Sequence, residues 1–212
     1  MAAARRHGDR AGPGRGRLHQ RRRPVAGPDR RRARANQLVD AGRAAGWGLV
    51  IVFRHAATDQ SRPDREPVDL ADCATQRNLS DAGRADARAV GAAFRDLGIP
   101  VGTVWTSPYC RAKDTTRLAF GRGEEVAGLE RLYPDRDQAA DQRTSDLIRQ
   151  HAPAAGQPNL VIAAHGVYPS VLSPPVTLAE GEAGVYSVIG DQVRLLGRCV
   201  CAVSSSTSRP VG

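Results

Sequence analysis

Two segments decide the fold predicted for this chain: LVIVFRHA at residues 49–56 and LVIAAHG at residues 160–166. Each begins with a run of apolar and β-branched residues and stops at a histidine, His55 or His165. An apolar run of this length is typical of a strand that is buried on both faces of a sheet. Open α/β sheets place their ligand sites at the carboxyl ends of such strands. Both histidines are therefore candidate functional residues.

The rest of the chain alternates predicted strands and helices around these two segments. Ser80 is typical of a helix N-cap, and Gly98 followed by Pro100 marks the end of that helix. Gly190-Asp191 is a two-residue hairpin signal between two alternating runs. The pattern predicts a three-layer α/β/α fold with a mostly parallel sheet and a C-terminal antiparallel hairpin. Helices are expected over 36–45, 80–97, 110–120 and 137–151, and strands over 49–53, 101–106, 125–127, 160–164, 184–189 and 192–196.

The formal net charge of +9 is concentrated at the amino terminus. Residues 1–34 carry twelve arginines and two aspartates, so this segment is strongly basic and the remainder is nearly neutral. The segment has too few aliphatic residues to form a core, and we expect it to be disordered. It is either a dispensable extension or a basic arm that contacts nucleic acid non-specifically. We expect one domain over 35–201 and a flexible tail over 202–212.

No apolar run is long enough to span a membrane, and the amino terminus lacks the apolar core of a signal peptide. A cytoplasmic location is therefore the default expectation. The four cysteines lack the spacing of zinc ligands, so neither a metal nor another cofactor is expected.

Three segments that follow strands carry side chains suited to one substrate. They are Arg54-His55, the stretch from Ser107 to Arg111, and His165-Gly166. Since the carboxyl ends of parallel strands share one edge, these side chains are expected to converge. Arginine binds phosphate bidentately, and a neutral imidazole is a competent nucleophile near neutral pH. The pattern predicts a phosphoryl site, with Arg77 either reaching it from the long loop or remaining solvated.

The motifs resemble those of the histidine phosphatase superfamily, which has the phosphoglycerate mutase-like fold. Arg54-His55-Ala56 is similar to the family's Arg-His-Gly/Ala signature. The segments at 77–84, 106–112 and 164–166 are similar to its later landmarks, in the same order. The resemblance implies hydrolysis in two steps without a metal, in which His55 becomes a phosphohistidine while Arg54, Arg111 and His165 hold the phosphoryl oxygens.

The resemblance also implies an acid that protonates the leaving oxygen. The glutamate that the mutase branch often has soon after the first histidine is replaced here by Ala57, before Thr58 and Asp59. Asp135 and Asp59 are the favoured donors, with Glu130 and Glu182 as further candidates. Family members that act on phosphohistidine can manage without such an acid.

The expected activity is that of a phosphatase acting on a phosphorylated small molecule. The alternatives are a phosphoglycerate mutase-like phosphotransferase and a non-catalytic phosphate-binding module. Cys110 is expected to be a buried structural cysteine unless it pairs with Cys73. Both cysteines flank segments of the expected site, which motivates the hypothesis that they form a disulfide. Such a bridge would favour an exported protein over a cytoplasmic one.

Overall fold

The computed structural model of the protein describes residues 39–40, 42–44, 46–130, 138–168 and 176–200. Its strands are β1 (Leu49–Arg54), β2 (Val101–Thr106), β3 (Glu124–Glu125), β4 (Asn159–Ala164), β5 (Val167–Tyr168), β6 (Val176–Thr177), β7 (Glu182–Ile189) and β8 (Gln192–Val200). Its helices are α1 (Asp81–Asp96), α2 (Cys110–Phe120) and α3 (Gln138–Gln150), and a 3-10 turn covers Cys73–Thr75. The residues described within 39–44 are also helical. The predicted tails at 1–34 and 202–212 lie outside the described residues.

Six strands form one sheet in the order β3-β2-β4-β1-β7-β8. The four strands β3, β2, β4 and β1 are parallel, and β7 and β8 add an antiparallel hairpin beside β1. The predicted fold class is therefore confirmed. β5 and β6 form a separate two-stranded ribbon that the sequence pattern did not predict.

Both faces of the central strands are covered, which explains why β1 and β4 are continuously apolar. In β1, Leu49, Ile51 and Phe53 pack with residues of α1 and α2 on one face. Val50 and Val52 alternate with them and pack on the other face, where Ile148 of α3 lies. A strand buried on both faces has no position for an alternating polar residue. Its first polar side chains therefore come at its carboxyl end, where β1 delivers Arg54 and His55.

The start of α1 is joined to the loop that follows His55. The Ser80 hydroxyl caps the helix by accepting a hydrogen bond from the Gly83 amide at 3.0 Å. The Ser80 amide donates to the Ala57 carbonyl oxygen at 3.0 Å. A Cβ atom at Gly83 would overlap that same carbonyl, so glycine is required for this close approach. The cap therefore positions the loop after His55 as well as the helix. No helix in the described part of the chain is long and apolar enough to cross a membrane.

Candidate active site

The backbone around His55 is held by three neighbouring elements. The His55 amide donates to the Ala164 carbonyl at the end of β4, at 2.9 Å. The next amide, that of Ala56, donates to the Thr115 hydroxyl of α2 at 3.0 Å. The His55 carbonyl accepts a hydrogen bond from the Gly181 amide at 3.0 Å. The imidazole is consequently presented from a fixed backbone, and its residue is only 1% exposed.

The hydrogen bond of the His55 ring identifies its tautomer. Nδ1 lies 2.9 Å from the Ala56 carbonyl oxygen, which can only accept, so Nδ1 carries the proton. Burial lowers the pKa of His55 to about 4; the nearby Arg111 and Arg54 charges act in the same direction, against the Ala56 hydrogen bond and Glu180. At neutral pH the ring is therefore uncharged, and Nε2 carries a lone pair that can attack an electrophile.

His165 faces His55 across the site. The two ring centroids are 5.5 Å apart with an interplanar angle of 75°. His165 Nε2 lies 2.9 Å from the Ser107 hydroxyl, and the Tyr109 ring packs edge-on against the imidazole. Burial lowers the pKa of His165 to about 2, with further lowering by Arg111, His55, Arg54 and Arg77. The second imidazole is therefore also neutral.

Three arginines surround the imidazoles, and each is anchored at one end. Arg54 Nη1 donates to the Leu178 carbonyl at 3.1 Å, and Arg77 Nη1 donates to Gln60 Oε1 at 3.1 Å. Arg111 is 5% exposed, and its Nη1 donates to Asp64 Oδ1 at 2.9 Å.

The Nε atoms of these three arginines are buried and have no hydrogen-bond partner among the described residues. An unpaired buried donor costs about 1–3 kcal/mol, and a group that is charged costs more. A cluster of such donors indicates a site for an anion. Arg77, for which the sequence left two interpretations open, lies next to Arg111, whose Nη1 donates to the Arg77 carbonyl oxygen at 3.4 Å.

Glu180 is a further charged residue of the site. Its carboxylate accepts hydrogen bonds from the Thr58 amide at 3.0 Å and the Thr58 hydroxyl at 2.8 Å, and it forms an ion pair with Arg54. Burial alone would raise the pKa of Glu180, but the hydrogen bonds from Thr58 and the neighbouring His55 and Arg54 side chains lower it overall. Glu180 is thus an ionised carboxylate that binds both Thr58, in the loop after β1, and Arg54. From the sequence, only its neighbour Glu182 is a candidate; the Glu182 carboxylate accepts a hydrogen bond from the Ala179 amide.

The family model described as "Histidine phosphatase superfamily (branch 1)" matches residues 50–133. The resemblance to the histidine phosphatase superfamily is confirmed. No curated protein sequence matches this chain.

Solved structures with the histidine phosphatase fold resemble this chain over most of their length. The protein histidine phosphatase SixA, complexed with tungstate, is 14% identical with a TM-score of 0.52, covering 72% of this chain and 97% of its own. A proposed α-ribazole-5′-P phosphatase from Escherichia coli strain K-12 is 13% identical with a TM-score of 0.53, covering 73% and 98%. A mutant phosphoserine phosphatase from Entamoeba histolytica, with phosphoserine, is 13% identical with a TM-score of 0.50, covering 72% and 97%. These similarities show the fold.

Two of the carboxylates predicted as proton donors, Asp59 and Glu130, accept hydrogen bonds within their own turns. Asp59 accepts hydrogen bonds from the Ser61 hydroxyl at 2.6 Å and the Ser61 amide at 3.0 Å, and these bonds lower its pKa. Glu130 accepts from the Gly128 amide at 2.6 Å in its own turn. Asp135 lies outside the described residues. The described residues contain no group of three or more His, Cys, Asp and Glu side chains arranged to hold a metal ion.

Gly166 lies beside the side chain of Arg54. A Cβ atom there would lie 2.8 Å from Nη1 of Arg54, so the space beside Gly166 is taken by that guanidinium. The glycine in His165-Gly166 therefore allows Arg54 to reach across the strand end and hydrogen bond to Leu178.

A disulfide joins Cys73 to Cys110, with the two Cα atoms 5.7 Å apart, as hypothesised from the sequence. Beside it, the Cys110 amide donates to Gln76 Oε1 at 2.9 Å. The bridge therefore ties the long loop after His55 to the first residue of α2, next to Arg111.

Proposed function

We propose that the protein is a metal-independent phosphatase that hydrolyses a phosphomonoester through a phosphohistidine on His55. The observation that carries this proposal is the hydrogen bond from His55 Nδ1 to the Ala56 carbonyl, at 2.9 Å. It leaves the Nε2 lone pair for attack, beside three guanidinium groups with unpaired donors. Fixed cations of this kind lower the cost of bringing a neutral nucleophile to an anionic phosphoryl group.

In the first step, His55 Nε2 forms a bond to phosphorus while the bond from phosphorus to the leaving oxygen breaks. The leaving oxygen takes up a proton from the donor carboxylic acid or from solvent water, and the alcohol departs. In the second step, water attacks phosphorus and gives up a proton to the donor carboxylate or to solvent, the bond from phosphorus to Nε2 breaks, and inorganic phosphate is released. Arg54, Arg111 and Arg77 would hold the phosphoryl oxygens during both steps, and His165 would donate a hydrogen bond to one of them.

For the proton donor, Asp59 and Asp135 stay the proposed candidates. The hydrogen bonds from Ser61 lower the pKa of Asp59 and favour its ionised form, which leaves less of the protonated form that a proton donor needs. Replacing each by asparagine and comparing an alkyl phosphate with p-nitrophenyl phosphate tests them, because only the poor alkoxide leaving group depends on the acid. A donor variant loses activity on the alkyl phosphate alone. Equal losses on both substrates argue against that residue.

The activity is tested with p-nitrophenyl phosphate in the presence of EDTA, followed by a panel of phosphorylated metabolites. The neighbours' names suggest phosphohistidine, phosphoserine and nucleotide-like phosphates for this panel. Substrate labelled at phosphorus should leave acid-labile label on the wild type and none on His55→Asn. Binding of phosphate without turnover would identify a binding module instead. An isomerised sugar phosphate as product would identify a phosphotransferase.

We also propose that the protein works in an oxidising compartment outside the cytoplasm. The disulfide between Cys73 and Cys110 supports this location, since such bridges persist mainly in exported proteins. Mass spectrometry of protein trapped with a thiol-alkylating reagent in its native host tests it. Finding both cysteines alkylated would contradict the proposal.

A further inference from the structure

Asp64, in the long loop after β1, contacts two of the arginines of the candidate site. Its Oδ1 accepts a hydrogen bond from Arg111 Nη1 at 2.9 Å and another from the Arg77 amide at 2.7 Å. Its Oδ2 lies 3.2 Å from the same Arg111 nitrogen. The Asp64 side chain is only 22% exposed, so these contacts are partly shielded from water. The Asp64 carboxylate thus binds the side chain of Arg111 and the backbone amide of Arg77.

These contacts restrict the orientation of the Arg111 guanidinium. Its Nη1 is held by Asp64, and its central carbon lies 4.2 Å from the centre of the Tyr109 ring. Because the guanidinium is planar, fixing one nitrogen and one face also fixes its remaining donors. Among those donors is Nε, which is buried and has no partner among the described residues. The free donors are therefore turned away from Asp64.

We propose that Asp64 is a positioning residue that orients Arg111 so that its free donors face the substrate phosphoryl group. This inference rests on the phosphoryl site of the proposed function. Asp64 binds Nη1 of Arg111 and leaves Nε for the anion. The carboxylate and the phosphate would therefore bind different nitrogens of the same guanidinium. A carboxylate that stood in the place of phosphate would instead compete with it.

The loop that carries Asp64 is itself fastened to the start of α2. The disulfide joins Cys73 to Cys110, and Gln76, which is buried, accepts a hydrogen bond from the Cys110 amide. Gln76 also donates to the Asp69 carbonyl at 2.8 Å. These links hold the loop in the position that places Asp64 beside Arg111.

The test is the affinity for inorganic phosphate, measured by calorimetry for the wild type and for Asp64→Asn. This measurement does not depend on turnover, so it remains informative if the protein proves to be a binding module. Charge-assisted hydrogen bonds are worth roughly tenfold or more in affinity. We expect the phosphate Kd to rise about tenfold in Asp64→Asn, and the KM for p-nitrophenyl phosphate to rise with it by more than kcat falls.

Asp69→Asn is the matched control, because it removes a negative charge from an exposed position of the same loop. In the described part of the chain, the Asp69 carboxylate accepts one hydrogen bond, from the Ala71 amide. Replacing Asp69 should therefore leave the phosphate affinity unchanged. Asp64→Glu keeps the charge and should bind phosphate with an affinity between those of the wild type and Asp64→Asn. It also serves as the second variant if Asp64→Asn does not fold.

A double-mutant cycle with Arg111→Met separates positioning from a general structural effect. In the Arg111→Met background, Asp64→Asn should have little further effect, since Asp64 acts through that guanidinium. Independent, additive losses would overturn the proposal. An unchanged or tighter Kd in Asp64→Asn would also overturn it, and a tighter one would identify Asp64 as a competitor of phosphate.

Discussion

Acidification should destabilise the protein through its buried neutral histidines, and His165 provides the clearest case. Burial lowers the pKa of His165 from 6.5 to about 2. Between these two values the unfolded chain binds a proton at this residue and the folded chain does not. The free energy of unfolding therefore falls as pH falls below 6.5, and this contribution is fully present only at higher pH.

The magnitude follows from the width of that pH window. Where the unfolded state binds one proton more than the folded state, the free energy of unfolding changes by about 1.4 kcal/mol for each pH unit. Lowering the pH from about 7.5 to about 4.5 covers roughly two units below the unfolded pKa, so His165 alone should cost about 3 kcal/mol of stability. This is a large share of the total stability of a typical domain.

The assay is urea unfolding at both pH values for the wild type and for His165→Gln. Other titrating groups contribute to both proteins and cancel in the comparison, so the variant should lose about 3 kcal/mol less on acidification. Ser107→Ala removes the hydrogen-bond partner of His165 but keeps the imidazole, and it should retain most of the acid sensitivity. If the wild type and His165→Gln lost equal stability, His165 would not be buried in its neutral form.

Three further outcomes follow from the site. Because the pKa of His55 is lowered to about 4, the acid limb of kcat/KM should lie near that pH instead of near 6.5, and an initial-rate profile checks this. Glu180→Gln should lower kcat/KM by about tenfold, because the amide cannot hold both Thr58 and Arg54 as an anion does; steady-state kinetics measures it. The disulfide closes a loop with a sequence separation of 37, so Cys73→Ser should cost about 4 kcal/mol in the free energy of unfolding, measured against the oxidised wild type.

The parts of the fold that were predictable are those encoded by local pattern. β1 and β4 are continuous apolar runs because both their faces are covered, and their polar ends identify His55 and His165 without any knowledge of packing. The Ser80 cap and the start of α1 were likewise readable from a few adjacent residues. Arg54 and Arg111 were predictable because each lies at or shortly after the end of a predicted strand.

The two carboxylates of the site were not predictable in this way. Glu180 reaches Thr58 because β7 runs antiparallel to β1, pairing Ala183 with Phe53 and placing the turn before β7 beside the loop after β1. That register joins residues about 120 positions apart, and no local pattern reveals it. Asp64 lies in a loop without periodicity, and its place depends on the disulfide and on Gln76. Knowledge of the β1 to β7 pairing would have distinguished Glu180 from Glu182.

The contacts that orient the arginines also offset part of the free-energy cost of burying them when no anion is bound. Isolated buried guanidinium groups are strongly unfavourable, and a site built only to attract phosphate would oppose folding. Here Arg54 is held by Leu178 and Glu180, and Arg111 is held by Asp64. Each acceptor engages one end of its partner and leaves Nε unpaired, so an anion could still bind at that nitrogen. The two neutral imidazoles add no further positive charge, so the guanidinium groups alone carry the positive charge that an anion would meet.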